Sequence, residues 1–119
     1  MNDLAGAAQR LTIFIGESDM VGRRPLATEI VHRAHEAALS GATVLRGEAG
    51  FGASNHIHTT HILSLSEDLP VVIIIVDEAE RIHAFLPVLE ALVVEGLIII
   101  DDVRVVRYVG RPGKNAPTE

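Results

Sequence analysis

Leu11, Ile13 and Ile15 fall on one side of an extended chain, and Thr12 and Phe14 on the other. That two-residue period predicts a β-strand, ended by Gly16-Glu17-Ser18-Asp19. Pro25 then opens a helix, because a proline at the first helical position loses an N–H that had no partner anyway. Leu26, Ile30, Ala34 and Ala37 or Ala38 recur at helical spacing, and Ser40-Gly41 is the stop, with Gly41 as the left-handed cap. A second strand runs from Ala42 to Leu45. The β-branched run from Pro70 to Asp77 predicts a strand buried on both faces. A second helix follows over Glu78 to Val94, with Ile82, Phe85, Leu86, Leu89 and Leu92 or Val93 as its apolar stripe. Asp77 can cap it, Glu78 and Glu80 suit its positive end, and Pro87 predicts a kink or an early break. After Gly96, strand residues lie on either side of Asp101-Asp102, from Leu97 to Ile100 and from Val103 to Val109.

The order is therefore β-α-β, a long loop, then β-α-β. Two right-handed units of this size close into an α+β, split β-α-β (ferredoxin-like) domain: one four-stranded sheet with both helices on one face. The domain is expected over residues 9–111, between a flexible N-terminus at 1–8 and a flexible tail at 112–119. The other sheet face is left bare, and here it is expected to comprise Leu11, Ile13, Ile15 and the Ile73–Ile75 strand. A small protein does not expose such a surface without reason, and closed homo-oligomerisation is the simplest cover.

Composition narrows the function. At 119 residues the chain fits one domain, and 48% apolar residues are enough for a core. Aromatics are only 3%, too few for a base-stacking platform, and the net charge of −6 disfavours a nucleic-acid backbone reader. With no cysteine, disulfides, thiolate nucleophiles and cysteine-based zinc sites are excluded. Met1 to Gln9 has neither a basic nor an apolar signal region, and the longest apolar run, Val71 to Val76, is too short to span a membrane. A cytoplasmic location is the default expectation, without membrane insertion.

Candidate chemistry gathers around the polar, glycine- and histidine-rich loop from Gly50 to Thr60, since long loops in compact domains are usually functional. Gly47, Gly50 and Gly52 either let backbone N–H groups approach an anion or simply shape a strand end. There is no Walker or dinucleotide-binding pattern to decide between these. His56 and His58 share a strand face and, with His61, could hold a metal. No acidic residue between Ser54 and Ser66 completes the set, so contacts to a ligand or exposed loop positions are the simpler reading. Arg46, just before the glycines, should pair with a carboxylate such as Glu48 or face a ligand cleft. Arg23 and Arg24 precede a helix N-terminus and could receive an anion, or form a solvated turn. Arg104, Arg107 and Arg111 punctuate the last strand, with edge solvation as the default. His32, His35, Glu29 and Glu36 read as the polar face of the first helix. A Ser54, His58, Asp68 triad can be assembled only on paper, without a nucleophile elbow, so no enzyme is expected.

Several stretches in this order carry a resemblance: Leu11 to Glu17, Gly41 to Ser54 (GATVLRGEAGFGAS), Ile57-His58-Thr59, Asp68 to Val72, and Glu95-Gly96-Leu97 through Val103-Arg104-Val105. Together they resemble the PII-like signalling proteins, and most nearly domain-of-unknown-function family 190. The resemblance implies a homotrimer with ligand sites in clefts between subunits near the long loop. In PII proteins the ligand is an adenine nucleotide. On the matching positions, Arg46, Gly50, Gly52 and His58 are the expected ligand-binding residues. PII proteins carry a Gly- and Lys-rich phosphate loop after the second helix. Here that link is only Val94-Glu95-Gly96-Leu97, so AMP or ADP should bind at least as well as ATP. Similar proteins often accompany fluoride-channel proteins, an association that points to a membrane transporter or channel partner. The expected function is a trimeric sensor of a small anionic effector. Its alternatives are a metal-responsive trimer using the loop histidines and a ligand-free interaction trimer.

Overall fold

A computed structural model describes residues 4–52 and 68–110. Six strands and two helices follow the chain: β1 (Gly6–Gly16), β2 (Met20–Val21), β3 (Arg24–Pro25), α1 (Leu26–Glu36), β4 (Thr43–Arg46), β5 (Pro70–Asp77), α2 (Ala79–Leu92) and β6 (Leu97–Val105). Four strands form one sheet in the order β4-β5-β1-β6, every neighbouring pair antiparallel. This is the ferredoxin-like arrangement expected from the element order, with a small β2–β3 hairpin added before α1. Among the described residues, no helix is long and apolar enough to cross a membrane.

Both helices cover the side of the sheet that carries Leu11, Ile13 and Ile15 of β1 and Val71, Ile73 and Ile75 of β5, all essentially buried. Leu26, Ile30 and Ala34 of α1 and Ile82, Phe85 and Leu89 of α2 complete this core. The assignment of the bare face is thereby corrected. The open side instead carries Thr12 and Phe14 of β1, Val72 and Ile74 of β5, Leu45 of β4, and Leu97 and Ile99 of β6. Leu45, Leu97 and Ile99 are 51%, 49% and 40% exposed, so the apolar face expected from the sequence exists, one residue out of phase.

Element boundaries also differ. β1 begins at Gly6, five residues before the alternation becomes visible, and Leu4 and Ala8 are buried. Gly6 to Ala8 have little strand propensity of their own; they are held by pairing with Val103 to Val105 of β6. β6 is continuous through its two acidic residues, because Asp101 meets Arg10 and Asp102 meets Gln9 across the ladder.

α1 ends before Gly41. Ala38 takes the left-handed conformation, φ +60°, and its N–H donates to the His35 carbonyl while that of Leu39 donates to Ala34. This is a Schellman closure with alanine at the position that glycine usually fills. α2 runs through Pro87 without a break. Pro87 and His83 both lie on its exposed side, where solvent can take the place of the donor that Pro87 lacks.

Asp77 closes β5 rather than capping α2 directly. Buried to 1% exposure, it accepts the backbone N–H groups of Glu78 at 2.7 Å and Ser40 at 2.8 Å. The α2-to-β6 turn requires Gly96, since a Cβ there would lie 2.7 Å from the Phe14 carbonyl oxygen.

Candidate functional site at the root of the long connection

β1 stops at Gly16 because the next turn folds back on itself. The Gly16 N–H donates to Asp19 Oδ2 at 3.0 Å, and the Asp19 N–H donates to the Gly16 carbonyl at 3.1 Å. The Asp19 carbonyl in turn accepts the Leu26 N–H at 2.8 Å, which ties the turn to the start of α1.

This turn also holds both stems of the 47–69 connection. On the incoming stem, Arg46 ends β4 and its Nη1 donates to Glu17 Oε2 at 3.0 Å. On the outgoing stem, the Leu69 carbonyl accepts the Glu17 N–H at 2.8 Å. Asp68 Oδ1 accepts the Ser18 N–H at 2.9 Å and the Ser18 hydroxyl at 2.8 Å. The stems are closed on one another by the Gly47 N–H, which donates to the Pro70 carbonyl at 2.8 Å. Pro70 packs so closely that a Cβ on Gly47 would come within 2.9 Å of its Cγ, and one on Gly50 within 3.2 Å. Gly50 also has φ +145°, a conformation that a side chain disfavours.

Gly50 packs on Pro70, the neighbour of Val71, which Arg46 faces across the β4–β5 ladder. Arg46 pairs with Glu17 of the neighbouring turn, not with Glu48. Gly52 has φ +125° and open space around it, so close packing does not require it to be glycine. His58, with His56, His61 and Ser54, lies outside the described residues, as does Arg111. Asp68, the acid of the paper triad, bonds to Ser18.

Arg24 does not wait at the helix N-terminus for an anion; it bonds Glu29 at 2.6 Å. Arg33 bonds the other Glu29 oxygen at 2.8 Å, so Glu29 is a buried anchor and not part of a solvated polar face. The Arg24 hydrogen bond, then that of Arg33, holds the Glu29 carboxyl below its ordinary pKa. Arg23 and Arg104 are exposed. Among the described residues, no group of three or more His, Asp or Glu side chains is placed to hold a metal.

Glu17 and Ser18 are the residues that sequence reasoning missed. They were legible only as a strand stop, because their partners Arg46, Asp68 and Leu69 lie 29 to 52 positions along the chain and become neighbours only when β1, β4 and β5 align. A shallow groove of about 320 Å³ lies at the other end of β4, lined by Leu4, Ser40, Thr43, Ile74, Val76 and Tyr108 among others. It contains no charged side chain and is separate from Arg46.

Residues 8–105 match the model of family DUF190, described as Uncharacterized ACR, COG1993. A UPF0166 protein of Aquifex aeolicus (strain VF5) is 38% identical over 96 residues, 81% of this chain and 90% of that protein. A UPF0166 protein of Methanocaldococcus jannaschii is 36% identical over 99 residues, 82% of this chain and 91% of its own length. Among solved structures, CPII from Thiomonas intermedia K12 bound to ADP, AMP and acetate is similar at a TM-score of 0.52 and 20% identity. That match covers 90% of this chain and 92% of CPII. The structure of CPII described as a nitrogen regulatory PII-like protein, bound to ADP, AMP and bicarbonate, gives 0.50 and 23%, covering 85% and 90%. At these identities the likeness to CPII is one of fold.

Proposed function

This chain belongs to the DUF190 family, and from that premise we propose that it is a PII-like regulatory protein, not an enzyme. It acts as a homotrimer that binds a small anionic effector, with ADP or AMP as the leading candidates, in clefts between subunits. The observation that carries this reading is Arg46. Its guanidinium stands at the root of the long connection, 54% exposed, against the Glu17 carboxylate. That exposure lets the guanidinium receive an anion, in a chain whose net charge is −6.

Further support comes from the ligands named for CPII, which shares the fold. The apolar open face supports assembly, because a second copy would cover Phe14, Ile74, Leu97 and Ile99. Gly52 and His58 join Arg46 and Gly50 in the proposed site by their match to the family pattern. Residues 50–60 are the proposed contact for a partner, a transporter or channel protein in this reading, and the location is cytoplasmic. The link between Leu92 and Leu97 is short, so no dedicated phosphate loop favours the γ-phosphate of ATP.

Calorimetry with AMP, ADP and ATP on the wild type and Arg46→Ala tests the proposal. ADP or AMP should bind at about micromolar affinity or weaker, at least as well as ATP, and Arg46→Ala should weaken binding. Absence of binding below millimolar, or an Arg46→Ala variant that binds like the wild type, would leave the ligand-free interaction trimer as the better reading.

A further inference from the structure

The Glu17 carboxylate already occupies the guanidinium that an anionic effector would need. Its Oε2 accepts from Arg46 Nη1 at 3.0 Å, and the two side chains are 42% and 54% exposed. A pair this open to water is held weakly and exchanges readily with a competing anion. Glu17 is also no ordinary surface partner. Its backbone N–H donates to the Leu69 carbonyl at 2.8 Å, and the next residue, Ser18, donates twice to Asp68. One short turn therefore grips the outgoing stem through its backbone and the incoming stem through the Glu17 side chain.

We propose that Glu17 is a built-in competitor for the effector site: its carboxylate stands in for the ligand's anionic group on Arg46, and binding requires that group to displace it. This inference rests on the reading of Arg46 as an anion site and adds a specificity-determining residue to it. The consequence is a threshold. A weak monoanion must overcome both its own hydration and the resident carboxylate, whereas a di- or trianionic phosphate compound gains more from Arg46 than Glu17 does. Displacement removes the side-chain link from the turn to Arg46, while the bonds of Glu17, Ser18 and Gly47 to residues 68–70 stay in place.

A double-mutant cycle with ADP as the probe, read by calorimetry, tests this on the full chain. Glu17→Gln should tighten ADP binding about two- to fivefold, the range that an exposed ion pair can contribute. In the Arg46→Ala background the same Glu17→Gln change should have no effect. Arg46→Lys, which keeps the charge, should retain part of the Glu17→Gln gain, and melting curves establish that each variant is folded. Equal tightening with and without Arg46 would show that Glu17 acts through general charge repulsion, and would overturn the inference while sparing the site. No tightening in either background, with Arg46→Ala still weakening ADP, would do the same. If Arg46→Ala binds ADP like the wild type, or ADP binds no variant, the site itself falls and the inference with it.

Discussion

Arg10 and Asp101 stand directly opposite each other on β1 and β6, joined by two hydrogen bonds, Nη2 to Oδ2 at 2.7 Å and Nε to Oδ1 at 3.2 Å. The pair sits on the open face of the sheet, so that face is not uniformly apolar. Toward one end it carries Thr12, Phe14, Leu97 and Ile99, and toward the other Ala8, Val103 and Val105. Both charges of the pair remain nearly half-exposed in one protomer. They need no partner from another subunit, and the exposed Leu97 and Ile99 are what an assembly would bury.

The open face yields the first prediction. Light scattering of the wild type should give three times the protomer mass. Ile99→Lys should shift the population towards monomers without lowering helix content, because Ile99 is 40% exposed in the protomer and takes no part in the core. A wild type that is monodisperse and monomeric at micromolar concentration would refute assembly through this face.

Ala38 offers a test of local strain. Glycine at this left-handed position removes the Cβ penalty, so Ala38→Gly should stabilise the fold by about 1 kcal/mol. The melting temperature should rise by several degrees. Gly41→Ala, at the position that the sequence alone marks as the cap, should leave it almost unchanged, since nothing lies within 4 Å of the added Cβ.

Gly96 is the opposite case. Alanine there would press its Cβ against the Phe14 carbonyl, 2.7 Å away, and backbone cannot yield as a flexible side chain can. Gly96→Ala should cost about 2 kcal/mol or more, seen as a lower denaturant midpoint.

Acid should release the clasp between the β2–β3 hairpin and α1. Glu29 has a depressed pKa in the folded state, first through Arg24 and then through Arg33. Its contribution is therefore complete above the unfolded-state carboxylate value of about 4.3 and is lost as pH falls through the lower folded value. Melting temperature followed from pH 6 to pH 2 should fall less steeply for Glu29→Gln than for the wild type. Parallel slopes would contradict the role given to these hydrogen bonds.

The sequence by itself determined the order of elements and the fold class. Alternation from Leu11 to Ile15, the 3.6-residue stripes of the two helices and the β-branched run of β5 are local signals that need no long-range partner. Three things required the tertiary structure. In Val71 to Val76 both faces are equally apolar, so the pattern carries no phase, and only the docking of Ile30 and Ile82 shows that Ile73 faces inward and Ile74 outward. Gly6 to Ala8 become strand because β6 pairs with them, not through any propensity of their own. Glu17 meets Arg46 because the sheet sets β5 between β1 and β4, which carries the turn after β1 to the root of the long connection. Local periodicity encodes which elements form; the partner of a charged side chain depends on strand order and register, and these are set by packing of the whole sheet.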